Sequence, residues 1–166
     1  MGGSSDDRLI CEIEALLRRV SIIIRKRGRD ILADFDITPP QFNALLALDE
    51  AGAITMGELC ERMYLACSTA TDLIDRMERN GLITRERDPN DRRVIRLKVR
   101  DKGKSIIEEV LKARRTYLAG IMSQVPDDEK EQLIHSLNRV YTLMTEGQLS
   151  ASAQGQTAAP GAAKAP

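Results

Sequence analysis

Tryptophan is absent from the 166 residues, and aromatic side chains number only two Phe and three Tyr. A core in such a chain has to come from Leu, Ile, Val, Met and Ala, and a mostly α (α+β) protein is the expectation. His135 is the single histidine, too few for the usual zinc ligand set. No phosphate-cradling glycine loop, nucleophile elbow or paired metal-ligand motif occurs, so neither an enzyme nor a bound cofactor is expected. The longest unbroken apolar run, Ala44 to Leu48, is far short of the roughly 20 residues that span a bilayer. Residues 1–8 are polar and acidic, unlike a secretory leader, so no membrane association is expected. Cys11, Cys60 and Cys67 are odd in number and widely spread, which argues against a disulfide framework and for a reducing, cytoplasmic setting.

Net charge is also lacking: 25 basic residues face 25 acidic ones. That zero conceals an uneven distribution. Residues 76–115 hold 14 Lys and Arg against 7 Asp and Glu, a net of +7, leaving 11 basic and 18 acidic residues elsewhere. A basic segment on an acidic body is a candidate polyanion-binding surface.

What is present is helical periodicity with its stop signals. Leu9, Ile13, Leu16, Leu17, Val20, Ile23, Ile24, Ile31 and Phe35 follow three- and four-residue spacing, which predicts a long amphipathic helix over 7–35, weakened at Gly28. Thr38, Pro39 and Gln41 form a capping box with proline at the first position, and Gly52 supplies a stop, predicting a helix over 39–51. Thr55 and Glu58 form a second capping box before a short helix ending near Tyr64 and Leu65. Ser68, Thr69 and Thr71 open a further helix with Leu73, Ile74 and Met77 inward, closed by Asn80 and Gly81.

The period then switches from helical to alternating. Ile83, Arg85 and Arg87 read as one strand and Ile95, Leu97 and Val99 as another, with Asp88, Pro89, Asn90 and Asp91 as the turn and a basic outer face on the hairpin. Helical spacing returns over 104–146. Residues 1–7 and 147–166 are expected to be disordered, the latter because Ala, Gly, Gln, Ser and Pro bury too little area to offset ordering entropy. The expected organisation is a structured region over 8–146, with a helix-turn-helix and wing over 38–100.

A helix about 10–12 Å across fits the major groove of B-form DNA, where base pairs display distinct donor and acceptor patterns. Ser68, Thr69 and Thr71 stand at the start of such a helix, Ser68 serving equally well as its cap, and Arg76 lies further along it. Arg92 and Arg93 at the hairpin tip suit a narrow, strongly negative minor groove.

The stretch from Ser68 to Arg93, STATDLIDRMERNGLITRERDPNDRR, with Asp91, Arg93, Leu97, Val99 and Gly103, resembles the recognition helix and wing of the MarR family of winged helix-turn-helix regulators. The resemblance implies a homodimer whose N- and C-terminal helices, 8–35 and 104–146, intertwine as a dimerisation region. It implies that Arg93 enters the minor groove, that Asp91 fixes the wing, and that a palindromic operator on double-stranded DNA is bound by a repressor responsive to a small-molecule effector. Asp72 stands where the family often has Arg, and Arg100 where it often has Thr; a carboxylate at 72 is able to accept from cytosine N4. Two other readings share part of this evidence. One is a redox- or electrophile-sensing regulator acting through Cys67, at the amino end of the recognition helix, through Cys60, or through Cys11 in the first helix. The other is a helical dimer that binds proteins and has a degenerate DNA surface.

Overall fold

The structure, a computed structural model, describes residues 5–155, with side-chain environments through residue 146. The order is α1 (Ser5–Ala33), α2 (Pro39–Ala51), α3 (Met56–Met63), α4 (Cys67–Arg79), β1 (Ile83–Arg87), β2 (Ile95–Val99), α5 (Asp101–Met122) and α6 (Asp127–Gly155). It forms two compact units, Met1–Tyr117 and Leu118–Pro166, the boundary falling within α5.

In the first unit, α2 and α3 start where their capping boxes dictate. The Thr38 hydroxyl accepts from the Gln41 N–H while the Gln41 side chain accepts from the Thr38 N–H, and Thr55 and Glu58 repeat the arrangement. Each box satisfies amide donors that would otherwise be orphaned at a helix start. The core these helices enclose contains Phe42, Leu45, Leu48, Leu59, Ile74, Met77, Ile83, Leu97 and Val110, all fully buried. Aliphatic and methionine packing thus replaces the missing aromatics, with Phe42 as the one large ring.

β1 and β2 pair antiparallel with Ile83 opposite Val99, Arg85 opposite Leu97 and Arg87 opposite Ile95. The register puts Ile83, Leu97 and Val99 inward. Ile54 adds a third rung unforeseen in the sequence, exchanging backbone hydrogen bonds with Leu97 on the free edge of β2. The α2–α3 connection therefore ties the base of the hairpin to the helices.

Gly103 marks the tightest approach. A Cβ there would lie 2.5 Å from the Leu82 carbonyl oxygen, 2.7 Å from Val99 Cγ1 and 3.1 Å from Leu45 Cδ2. Only a residue without a side chain lets the first turn of α5 press against the end of α4 and the hairpin.

Three boundaries of the first and last helices differ from the sequence expectation. α1 begins at Ser5 rather than after residue 7, with Asp6 and Asp7 in its first turn, where carboxylates complement the helix dipole. It runs unbroken through Gly28 and stops at Ala33, where Asp36 adopts a left-handed φ of 51°. α6 continues to Gly155, nine residues beyond the predicted end; residues 147–155 contain no proline to stop it, and their Leu, Ala and Gln tolerate a helix well. The remainder of the expected disordered segments, 1–4 and 156–166, lies outside the described residues. In the second unit Asp127 starts α6 and pairs with Lys130 at 2.7 Å.

Candidate nucleic-acid interface

α3 and α4 meet through a three-residue turn. Tyr64 closes α3 in the left-handed region at φ 51°, its N–H bonding back to the Cys60 and Glu61 carbonyls, and Leu65 N–H also reaches Cys60. α4 then starts after Ala66 with no side-chain cap. The reading of Ser68 as a cap is therefore overturned: Ala66, two residues earlier, holds the cap position, helix begins at Cys67, and the Ser68 side chain is exposed within the first turn.

Ala70, Ile74 and Met77 form the buried stripe of α4. At helical spacing, Ser68, Asp72 and Arg79 lie most nearly opposite that stripe, with Thr69 and Arg76 on one flank and Thr71 on the other. All six are exposed. The Thr71 hydroxyl donates to the Cys67 carbonyl at 2.8 Å, so its hydrogen is used within the helix. At the far end, Lys102 Nζ caps the helix by donating to the Asn80 carbonyl at 3.0 Å.

The hairpin is fastened by ion pairs not visible in its sequence pattern. Arg85 does not stand on an outward basic face: its two terminal nitrogens reach Asp75 and Glu78 of α4, both at 2.6 Å. These contacts hold its guanidinium pKa above the usual value, the Asp75 hydrogen bond being the largest cause. Arg96 is likewise taken up, its Nε donating to Asp88 and its Nη1 to the Ala53 carbonyl at 3.0 Å. On the wing, Arg87, Arg92 and Arg93 are exposed and in no ion pair among the described residues; Lys98 is exposed 3.9 Å from Glu86, and Arg100, just after β2, is exposed as well.

Asp88 is the organising residue of the wing turn, and sequence reasoning took it only as a turn former. Its carboxylate is buried and accepts from the Asn90 N–H at 2.7 Å and the Asp91 N–H at 3.2 Å, besides pairing with Arg96. The Arg96 hydrogen bond foremost, then those two amides, hold its carboxyl below the ordinary carboxylate range. Asp91 itself is exposed and accepts from the Arg93 N–H at 3.0 Å, while its carbonyl accepts from Val94. Arg92 and Arg93 consequently project from a tip whose backbone is held by two successive Asp side chains.

A carboxyl whose pKa is lower in the folded state contributes stability above its unfolded value, near pH 4, and loses it as the pH falls through the folded value. The Asp88 contribution to the wing is thus present at neutral pH and lost in acid. At neutral pH, Asp88→Ala is expected to raise hydrogen-exchange rates of the Asn90 and Asp91 amides by about tenfold or more, the loss of one charge-assisted bond each. Unchanged exchange at these two amides, followed by NMR, would remove Asp88 from that role.

Tyr64 is a further residue that periodicity did not single out. Its ring is 87% exposed at the turn joining the two helices, beside the exposed start of α4. A bulky aromatic at positive φ is unusual, and an αL signal of this kind cannot be read from spacing.

Two of the three cysteines meet. Cys60 on α3 and Cys67 on α4 have sulfurs 2.6 Å apart, with Cys67 exposed and Cys60 buried, whereas Cys11 is exposed on α1 and is not joined to them.

A helix pair with an exposed, hydroxyl-rich second helix and a pinned two-stranded wing defines a winged helix-turn-helix. The MarR family model matches residues 37–95, which spans α2 to the start of β2. The chain is 48% identical over 120 residues to the uncharacterized HTH-type transcriptional regulator YsmB of Bacillus subtilis, covering 72% of this chain and 82% of that one. It is 32% identical over 131 residues to the HTH-type transcriptional repressor MdtR of the same species, covering 79% and 84%. A solved MarR family protein from Bacillus stearothermophilus superimposes with a TM-score of 0.81 at 45% identity, covering 86% of this chain and 99% of that one. The chain belongs to the MarR family: it is a DNA-binding transcriptional regulator and not an enzyme. No helix among the described residues is long and apolar enough to cross a membrane.

Proposed function

We propose that this regulator is a cytoplasmic homodimeric repressor that places α4 in the major groove and Arg92 and Arg93 in the adjoining minor groove of an inverted-repeat operator. The observation that carries the reading is the division of labour among the basic residues. Arg85 and Arg96 are consumed by ion pairs that shape the wing, while Arg92 and Arg93 are exposed and have no side-chain partner among the described residues. Ser68, Thr69, Thr71 and Arg76 supply the groove-facing contacts of α4, and Asp91 holds the backbone from which Arg93 reaches. The repressor assignment is supported by the relative MdtR, a transcriptional repressor.

Dimerisation is supported by apolar surface. Leu9, Ile13, Leu16, Leu17, Val20, Ile23 and Ile24 on α1 are each 47–59% exposed, and Leu133, Leu137, Val140 and Met144 on α6 are exposed as well. Two continuous apolar stripes of this kind exceed what a monomer ordinarily presents to water. Isologous pairing of two protomers would repeat the DNA-reading surface about a two-fold axis and so match a palindrome with half-sites one helical turn apart.

An effector site is supported by Arg114 on α5. Its guanidinium lies 4.6 Å from the centre of the Phe42 ring on α2, burial lowers its pKa, and its Nε is buried without a hydrogen-bond partner. A small molecule bringing an acceptor to that nitrogen would supply the hydrogen bond it lacks. Release from DNA then follows if the ligand binds the DNA-incompetent arrangement more tightly.

Binding to duplex DNA should fall steeply with salt, log affinity dropping linearly with log salt concentration, whereas a protein-interaction module with a degenerate DNA surface gives no such dependence. Fluorescence anisotropy of a labelled duplex over a range of potassium chloride, together with sedimentation of the free protein, tests both parts. A monomer at micromolar concentration, or flat salt dependence, would overturn the proposal.

A further inference from the structure

The Cys60 and Cys67 sulfurs are 2.6 Å apart, whereas a disulfide requires about 2.05 Å. Both thiols are free. Their approach has a local cause: the left-handed Tyr64 and the Leu65 to Cys60 backbone bond reverse the chain, so the first residue of α4 stands over the second half of α3. The two thiols differ in environment. Cys67 is exposed, while Cys60 is 5% exposed. Burial above all, then the adjoining Cys67 thiol, pushes the Cys60 thiol up to about 11. An external reagent therefore meets Cys67 first, and Cys60 is held back for a sulfur that is already beside it.

We propose that Cys60 and Cys67 are a thiol–disulfide exchange pair, in which Cys67 is the site of reaction with a low-molecular-weight disulfide and Cys60 resolves the adduct. The Cys67 thiolate attacks one sulfur of the small disulfide, a new S–S bond forms, and the other half leaves as a thiolate that takes up the proton released from Cys67. Cys60, deprotonated as it reacts, attacks the Cys67 sulfur of the mixed disulfide, and the second small thiol departs with the Cys60 proton. Two protein thiols are oxidised by two electrons, and one small disulfide is reduced to two thiols.

The pair has a consequence for the DNA surface, and this part rests on the proposed role of α4. An adduct retained on Cys67 adjoins exposed Ser68 and Thr69 and occupies space that DNA would need. The intrachain bridge instead closes between sulfurs already adjacent, without separating α3 from α4. Resolution by Cys60 thus keeps the recognition helix clear.

The test uses the full chain carrying Cys11→Ser, treated with oxidised glutathione as the probe and read by intact mass and by DNA affinity. The expected product has lost two hydrogens, is restored by dithiothreitol, and binds duplex DNA within about threefold of the reduced protein. Adding Cys60→Ser, or Cys60→Ala should the first variant fold poorly, is expected to leave one glutathionyl group on Cys67 and to weaken DNA binding by about tenfold or more. Adding Cys67→Ser should give neither product. A glutathionyl group persisting while Cys60 is present, or no change of mass, overturns the exchange pair. A Cys60→Ser adduct that binds DNA as the reduced protein does overturns the steric role of Cys67. If the mass products form as stated but the reduced protein binds no duplex DNA, the exchange pair stands and the reading of α4 fails.

Discussion

Replacing Arg92 and Arg93 together by alanine is expected to lower operator affinity about 100-fold at physiological salt, with no change in thermal stability. Both side chains are exposed at the wing tip and make no contact that holds the fold. The bond that orders the tip runs from the Arg93 backbone N–H to Asp91, and alanine keeps it. The proposed dimer would lose four such side chains at once, which sets the expected size of the effect. The slope of log affinity against log salt should shrink by about one unit for each phosphate contact removed. Anisotropy titrations at several salt concentrations measure both quantities. An unchanged slope would mean that these arginines never meet DNA.

The second large effect concerns stability. Gly103→Ala is expected to lower folding stability by about 2 kcal/mol, a fall in Tm of roughly 6 °C, although alanine is the better helix former by about 1 kcal/mol. The added methyl would lie 2.5 Å from the Leu82 carbonyl oxygen and 2.7 Å from Val99 Cγ1, and a backbone oxygen has little room to yield. Leu82 also accepts the Arg100 N–H, so its displacement disturbs the junction of α4, wing and α5 together. Gly120, on the same helix, is the internal control: a Cβ there meets nothing within 4 Å. Gly120→Ala should therefore raise Tm where Gly103→Ala lowers it. Equal shifts of one sign in thermal melts would show that close approach at Gly103 does not govern the outcome.

Much of this architecture is written locally in the sequence. Thr38 with Gln41 and Thr55 with Glu58 mark helix starts by pairing an acceptor with an orphaned amide three residues on, a chemistry complete within four residues. The hairpin is legible for the same reason, since alternation in 83–87 and 95–99 fixes which side chains face inward and hence the register. Arg93 and the exposed face of α4 follow from those two readings.

Tertiary partners were not legible. Arg85 has the same alternating position as Arg87, yet its reach to Asp75 and Glu78 depends on how the hairpin packs on α4. Asp88 reads as a turn residue because turns favour Asp, and nothing in that preference reveals a buried carboxylate gathering two amides and an arginine. Cys60 and Cys67 are seven positions apart, and only the left-handed turn at Tyr64 brings them together. The Ser68 cap failed because the cap position falls two residues earlier, at Ala66, a boundary that no side-chain cap marks.

In the proposed function, α4 and the wing read a symmetric operator as parts of a dimer. This reading is tested most directly by incubating the purified full chain with a pool of random duplex DNA, recovering the bound fraction and sequencing it. The expected result is enrichment of one inverted repeat whose half-sites lie about one helical turn apart. Failure to enrich any sequence at low salt, or enrichment of a single unrepeated half-site, would contradict it.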